Sequence, residues 1–305
     1  YVVGLGATGF SCACHLERLG VEVSVFDSRP RPPFADRLRQ EKPGISSSLG
    51  EFDEAEFRQA EVLVVSPGVS LADSSIRAAR DAGVEIIGDI ELFCRAVRRP
   101  VIGITGSNGK TTTTKLVGKL LANSKRPVQV GGNIGIPVSD LVKGSTNETI
   151  NVLEVSSFQL EAIADFRPDV ALLLNITPDH MDRYKDFAAY RETKFNLFRN
   201  QRESDIAILN HDDSNSFPPP EWLCAKQYLF SSSNWFDSGA TLHGDDLFVH
   251  GRKVLSIDEI LLIGKHNVSN VLAACLVADL FGVQTNLMAS SIRSFTGIEH
   301  RLETV

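Results

Sequence analysis

The chain has 305 residues, with 31 basic against 38 acidic side chains for a formal net charge of −7, and 43% hydrophobic and 23% charged residues. At about 150 residues per domain the length predicts roughly two domains, and the composition is that of a soluble globular protein, which excludes disorder as the main state. Net negative charge with no basic run longer than Arg98-Arg99 argues against nucleic acid as a partner, and no apolar stretch approaches the ~20 residues that span a bilayer.

Five cysteines (Cys12, Cys14, Cys94, Cys224, Cys275) are odd in number and scattered, and Cys12-x-Cys14 is too close for a Cys-x-x-Cys metal or redox pair. Buried, reduced thiols of a cytoplasmic protein are expected. The opening Tyr1-Val2-Val3-Gly4 reads as the end of a strand without an initiator Met, and Glu299 to Val305 read as an entering strand without a cap. The expectation is a piece of something longer.

In chain order, apolar runs at Val21–Phe26, Val62–Val65, Val84–Ile87, Val101–Ile104, Val152–Val155, Val170–Leu174 and Ile206–Leu209 predict strands. Most lack polar alternation, the mark of strands buried on both faces of parallel sheets. Helical patterns at Gly9–Leu19, Ile76–Ala82, Thr111–Ala122, Tyr190–Phe198 and Val268–Phe281 fill the gaps, so the fold class is α/β. A boundary falls near Ala96-Val97-Arg98-Arg99-Pro100, where a helix ends in basic residues and Pro before a new buried strand. Residues 217–256, opened by Phe217-Pro218-Pro219-Pro220 and rich in Ser, Gly and Asp, predict a small β insertion or flap.

Gly4-Leu5-Gly6-Ala7-Thr8-Gly9 follows a strand and opens a helix, and Asp27 ends the next strand about 20 residues on. This is dinucleotide-fingerprint spacing: glycines admit a diphosphate to the positive end of a helix, and the acid can bind ribose hydroxyls. Asp27-Ser28-Arg29 add a carboxylate, a hydroxyl and a guanidinium there. On this loop alone NAD is the first expectation, and a glycine turn serving only helix-on-strand packing stays open.

Thr105-Gly106-Ser107-Asn108-Gly109-Lys110-Thr111-Thr112 follows the buried strand Val101–Ile104 and begins a helix. Amides of such a turn cradle phosphates, Lys110 neutralises β/γ oxygens, and Thr111 offers a hydroxyl to Mg²⁺. The strict P-loop spacing asks for Gly where the chain has Ile104. Glu154, at the end of the strand through Val152, suits Mg²⁺ or is simply solvated. His180, in Asn175-Ile176-Thr177-Pro178-Asp179-His180-Met181-Asp182, is an imidazole among carboxylates at another strand end. Lys194 lies on a helix beginning near Ala188, and by itself reads as solvated surface. Gly131-Gly132-Asn133-Ile134-Gly135 is either an anion-binding turn or an ordinary one.

Assembled, these residues resemble the Mur ligases of peptidoglycan synthesis. The likeness runs in order through the first glycine loop, Ser66-Pro67-Gly68, Gly88-Asp89-Ile90-Glu91-Leu92-Phe93, Ile104 to Thr112, Gly131 to Gly135, Glu154 to Glu161, Asp179 to Tyr184, Gly264-Lys265-His266-Asn267 with Asn270, and Phe295-Thr296-Gly297 with His300-Arg301. The stretches Gly88–Phe93 and Asp179–Tyr184 favour the branch that adds D-glutamate to UDP-N-acetylmuramoyl-L-alanine.

The resemblance implies a Rossmann-like parallel-sheet domain over 1–97 that holds UDP-sugar rather than NAD. A central P-loop ATPase-like domain over 98–300 and a hinge at 301–305 would follow, leading toward a third domain without which ligation would fail. Ala7, Thr8, Asp27, Ser28 and Arg29 would meet the uridine diphosphate, and Ser66, Gly68, Asn133, Ser156, Gln159 and His180 the muramoyl-alanine end. Gly106 to Thr112 would hold ATP phosphates, with Asn267, Asn270 and Arg301 nearer the nucleoside. Thr111, Glu154 and His180 would organise two Mg²⁺ ions, with Lys194 carbamylated into a further ligand. The catalytic set is then Lys110, Asn133, Glu154, His180 and Lys194, in a cytoplasmic monomer that binds neither nucleic acid nor membrane. The alternatives are a folylpolyglutamate synthetase of the same architecture, an NAD-dependent oxidoreductase, and a nucleotide-sensing switch without catalysis.

Overall fold

The computed structural model describes residues 1–97 and 100–297, and its contacts divide the chain into two compact units. One is Tyr1–Val97 with Gly135–Gly144 and Ser156–Phe166, and the other is Arg98–Ile134, Ser145–Val155 and Arg167–Val305. Arg98, Arg99 and residues 298–305 lie outside the described residues, and with them the expected contact Arg301 and the hinge.

The first unit runs β1 (Val2–Val3), α1 (Ala7–Arg18), β2 (Ser24–Asp27), α2 (Ala35–Glu41), β3 (Ser46–Leu49), α3 (Glu54–Phe57), β4 (Val62–Val65), α4 (Ser74–Asp81), β5 (Glu85–Ile87) and α5 (Asp89–Ala96). Its five strands form one parallel sheet in the order β3-β2-β1-β4-β5, with Val3 paired to Phe26 on one side and Val65 on the other. Apolar side chains cover both faces, Val2, Val25 and Val64 with Phe10 and Ala13 on one, and Val3, Phe26 and Val65 with Phe57 and Ile76 on the other. Two expected strands start late, for one reason. After α1, Gly20 (φ +77°) donates to Glu17 O and Val21 to Leu16 O; after α4, Gly83 (φ +88°) donates to Arg80 O and Val84 to Ala79 O. Val21 and Val84 are spent closing helices and pairing begins beyond them.

The second unit opens with β6 (Val101–Thr105), α6 (Lys110–Leu121) and β7 (Val128–Gly132). The chain then gives α7 (Val138–Leu141) to the first unit, returns for β8 (Ile150–Glu154), and gives α8 (Ser157–Leu160) to the first unit again. There follow β9 (Val170–Leu173), α9 (Phe187–Phe195), β10 (Ile206–Asn210), β11 (Lys226–Ser231), β12 (Gly239–His243), β13 (Asp246–Val249), β14 (Arg252–Ser256), α10 (His266–Leu280) and α11 (Thr285–Arg293). All nine strands make one sheet, β14-β13-β12-β11-β10-β9-β6-β8-β7, antiparallel only at β12-β13-β14. The insertion or flap expected over 217–256 is therefore the sheet's own margin, joined through β11, which pairs in parallel with β10 from Ile206↔Lys226 to Asn210↔Phe230. Its strands are needed because α10 is apolar nearly all round and packs on β11, β12 and β13 as well as α6.

Of the cysteines, Cys12 and Cys275 are buried, with their thiols pushed up by burial, whereas Cys14 and Cys94 are half-buried and Cys224 is exposed. The buried-thiol expectation fails at Cys224, which ends on the surface between β10 and β11.

Helix α5 ties the returning segment into the first unit. Glu91 is fully buried, and its Oε2 accepts from three consecutive amides, Ala164, Asp165 and Phe166, each at 2.9 Å, while Arg95 Nε donates to Oε1 at 3.1 Å. A buried carboxylate is tolerated when every lone pair meets a donor, and its removal strands those donors. Glu91→Ala is expected to lower stability by about 3 kcal/mol in urea denaturation, the range for a broken buried charge network. A loss below about 1 kcal/mol would show that this anchor is not needed.

Candidate phosphate-binding sites

In the first unit the glycine loop leaves β1 where the strand order reverses, the position at which such sheets bind ligands. Gly4 has φ +95°, and a Cβ on Gly9 would lie 1.7 Å from Gly4 O, so the turn needs both glycines. Gly6 caps the 12-residue α1 without a side-chain partner, and Ala7 beside it is exposed. Ser66 Oγ donates to Gly4 O at 3.1 Å, while Gly68 and Ser28 are exposed.

Asp27 faces inward. Its Oδ2 accepts from the Leu5 amide at 2.6 Å and from an Arg29 guanidinium nitrogen at 2.7 Å, and its Oδ1 accepts from Arg29 N and Nε, both at 2.8 Å. Burial alone raises its pKa, but the Arg29 guanidinium and the two amides outweigh that and hold it below the ordinary carboxylate value. The acid braces the loop, and both oxygens that a dinucleotide's ribose would use already accept. Gln159 is likewise turned in: Oε1 accepts from Ser156 N at 3.0 Å and Ser156 Oγ at 3.1 Å, and Nε2 donates to Asp89 Oδ2 at 2.8 Å. Burial raises the Asp89 pKa to about 6 against that hydrogen bond. Of this pair Ser156 is the half-exposed member.

In the second unit the P-loop leaves β6, which is buried throughout and flanked by β8 and β9. Gly109 caps α6 at φ +85°, and a Cβ there would lie 2.4 Å from Asn270 Oδ1, so α10 brings Asn270 against the turn. Asn270 Nδ2 donates to Asn267 Oδ1 at 3.0 Å, and Asn267 Nδ2 to Ile263 O at 2.7 Å. Lys110 Nζ donates to Gly106 O at 2.9 Å and Ser107 O at 3.0 Å. Thr111 and Thr112 are half-buried in the first turn of α6.

Lys194 overturns its solvated-surface reading. It is 1% exposed and its Nζ donates to the same Gly106 O at 2.9 Å. Burial first, and the Lys110 charge second, lower its pKa to about 7, against a smaller pull from Asp179. Tyr190, one turn earlier on α9, lays its ring 4.7 Å from Lys194 Nζ and its hydroxyl 3.0 Å from Ser107 Oγ. The sequence reading missed Tyr190; its i−4 spacing from Lys194 is the signal that could have found it.

Glu154 ends β8 in register with Ile104 of β6 and Gly132 of β7. Its Oε1 accepts from Asn133 Nδ2 at 2.9 Å, while Oε2 is buried without a hydrogen-bond partner among the described residues. A buried carboxylate oxygen lacking a donor fits a cation. His180 sits in an exposed loop at φ +54°, its Nε2 3.5 Å from Asp179 Oδ2. Among the described residues no group of three or more His, Cys, Asp or Glu side chains converges to hold a metal; the expected set of Thr111, Glu154, His180 and Lys194 has only two side chains of those types.

A buried strand, a glycine turn holding a lysine, a helix start with hydroxyls and a strand-end carboxylate define a P-loop nucleotide-binding α/β protein, here with a Rossmann-like unit of its own. Residues 1–88 match the Mur ligase MurD-like N-terminal domain and residues 104–278 the Mur ligase middle domain. The chain is 39% identical over 307 residues to the UDP-N-acetylmuramoylalanine–D-glutamate ligase of Caldanaerobacter subterraneus and 42% identical over 308 residues to that of Shewanella oneidensis. Each alignment covers 100% of this chain and 68% of the relative. Among solved structures, the UDP-N-acetylmuramate:L-alanyl-gamma-D-glutamyl-meso-diaminopimelate ligase from Neisseria meningitides superimposes with TM-score 0.65 at 22% identity, covering 98% of both chains. The UDP-N-acetylmuramate-alanine ligase from Thermotoga maritima gives 0.59 at 20%, covering 97% of this chain and 68% of that one; at these identities both speak for the fold alone. The chain belongs to the Mur ligase family, whose members are ATP-dependent ligases of peptidoglycan synthesis. These relatives favour neither the folylpolyglutamate synthetase nor the NAD-dependent oxidoreductase.

Because Lys194 is disfavoured as a cation in the folded chain, the unfolded chain binds its proton more tightly between pH 7 and pH 10.5. The sign follows: stability rises with pH through that window, by up to about 1.4 kcal/mol per unit, and the penalty is complete below it. Lys194→Met should flatten this slope in denaturant titrations stepped across the window, and an equal slope in both chains would refute the burial argument.

Proposed function

We propose that the chain serves the addition of D-glutamate to UDP-N-acetylmuramoyl-L-alanine in the cytoplasm, acting as a monomer. The observation that carries this reading is the pairing of the Lys110 P-loop with Glu154, the donor-poor carboxylate one strand over. Residues 1–97 would hold the UDP-sugar, through Ala7 and Thr8 at the start of α1 and through Ser28 and Arg29, with Asp27 shaping the loop. Ser66, Gly68, Ser156 and His180 would line the muramoyl-alanine end, and Asn133 and Gln159 would orient groups there. Residues 98–300 would hold ATP, its phosphates on Gly106 to Thr112 and its nucleoside toward Asn267 and Asn270, with Arg301 of the 301–305 segment beside it.

A carboxylate is a poor acyl donor to an amine. Its oxygen first attacks the γ-phosphorus and ADP leaves; the D-glutamate amine then adds to the acyl phosphate, loses a proton, and phosphate departs as the amide forms. Lys110 would spread the charge of the transferring group, and the amides at the start of α6 would fix its oxygens. Glu154, whose Oε2 is buried without a donor among the described residues, would hold Mg²⁺ with Thr111 and His180, two ions in all, and these would supply charge neutralisation to the phosphates when bound. An amine adds CO₂ only when neutral, and Lys194 with its pKa near 7 is half neutral at that pH, which supports its conversion to a carbamate ligand.

Calorimetric titration with UDP-N-acetylmuramoyl-L-alanine is expected to show saturable binding, weaker for UDP and absent for NAD. Binding of NAD alone would overturn the assignment of the first unit. In the second unit Gly109→Ala, strained at φ +85° and driven into Asn270, should weaken ATP binding by at least about tenfold. Unchanged ATP affinity in that variant would mean that phosphates bind elsewhere.

A further inference from the structure

The turn after β10 reaches the P-loop through one residue. Asp213 Oδ2 accepts from the Ile176 amide at 2.7 Å and from Ser216 Oγ at 2.5 Å, and Asn215 Nδ2 donates to the Ile176 carbonyl at 2.9 Å. Ile176 is thereby pinned at both its polar atoms. The residue before it carries the hold forward: Asn175 Oδ1 accepts from the Asn108 amide at 2.9 Å, Asn175 Nδ2 donates to the Asn108 carbonyl at 3.0 Å, and the Asn175 carbonyl accepts from the Ser107 amide at 2.9 Å. The residue after it closes on Ser107, whose Oγ accepts from the Thr177 amide at 3.0 Å and donates to the Thr177 carbonyl at 2.9 Å. Arg191 of α9 donates to the Asn215 carbonyl at 2.7 Å, which fixes the turn itself.

We propose that Asp213 and Asn175 are positioning residues for the nucleotide: Asp213 sets the 175–177 loop, and Asn175 transmits that setting to the crest of the P-loop through its two hydrogen bonds to the Asn108 main chain. The crest needs such a brace because Gly106 and Gly109 leave its backbone few steric constraints, and a phosphate cradle that is ordered before binding spares the ligand that cost. The Asn175 carboxamide acts as a peptide edge, donor and acceptor side by side, which an aspartate or a leucine of similar size cannot reproduce. The proposal deepens the ATP-site reading and rests on it.

The test is calorimetric titration of ATP with Mg²⁺ into the wild-type chain, Asn175→Ala, Asp213→Ala, the double variant and Asp213→Asn, with thermal melts recorded alongside. Asn175→Ala is expected to weaken ATP about tenfold, as two hydrogen bonds are lost, and Asp213→Ala about threefold to tenfold. Because Asp213 sets the loop that Asn175 belongs to, the two losses overlap and the double variant falls short of the product of the singles. Asp213→Asn keeps an oxygen for the Ile176 amide and recovers most of the affinity. Factors that multiply in the double variant, or unchanged affinity in Asn175→Ala, would overturn the proposal. A wild-type chain that fails to bind ATP overturns the ATP-site reading and the proposal together. Where Asn175→Ala does not melt cooperatively, Asn175→Asp, which keeps the acceptor and loses the donor, carries the same test and is expected to fall between wild type and full loss.

Discussion

Two ammonium groups meet on the carbonyl of Gly106, and much of the central unit is arranged around that contact. Lys110 arrives from the start of α6 and Lys194 from α9, each at 2.9 Å. A buried cation is expensive, and a second beside it more so. The structure meets that cost locally. Lys194 lies against the Tyr190 ring and gives up part of its charge, its pKa falling to about 7. Tyr190 in turn reaches Ser107, so the helix that supplies the second lysine also steadies the loop that supplies the first. An excess of positive charge held in a fixed backbone frame is what the spread-out charge of a transferring phosphoryl group requires.

The first unit handles charge in the opposite way. Two of its buried carboxylates are committed at both oxygens, Asp27 to the Leu5 amide and Arg29 and Glu91 to three amides and Arg95, while Asp89 gives one oxygen to Gln159. Each is used as a clamp on main chain or on another side chain. The groups left at the loop are then the helix-start backbone, small side chains and the half-exposed Arg29, which suits an anion held by amides and a peripheral guanidinium.

Strand and helix positions were legible because burial on both faces leaves unbroken apolar runs, and the P-loop because its signal is local: strand, glycine turn, Lys110, helix. The late starts at Val21 and Val84 were not, since an apolar residue that closes a Schellman turn has the same composition as one that begins a strand. The margin at 217–256 was read as a flap because β11 to β14 are short and half polar; what makes them part of the sheet is α10, far along the chain and apolar all round. Lys194 was the largest gap. Its helix periodicity is that of a surface lysine, and only the packing of α9 over Gly106, 88 residues away in sequence, buries it. The motif Gly88–Phe93 was visible as a motif while its physical content was not, since the amides that Glu91 holds lie more than 70 residues downstream.

The inward turn of Asp27 also explains why the first loop, taken alone, pointed to NAD. The spacing of glycines and a strand-end acid is set by the turn and by the closing of β2 beside β1, requirements shared by any such unit whatever nucleotide it holds. What separates ligands is where the carboxylate oxygens point, and that depends on a partner two residues on. Arg29 takes both oxygens here, and the Leu5 amide takes one of them again, so the acid that would grip ribose hydroxyls instead locks the loop. Glycine spacing encodes the turn, but the arginine that occupies this acid lies outside that spacing, so the spacing alone cannot say whether the carboxylate is open to a ligand.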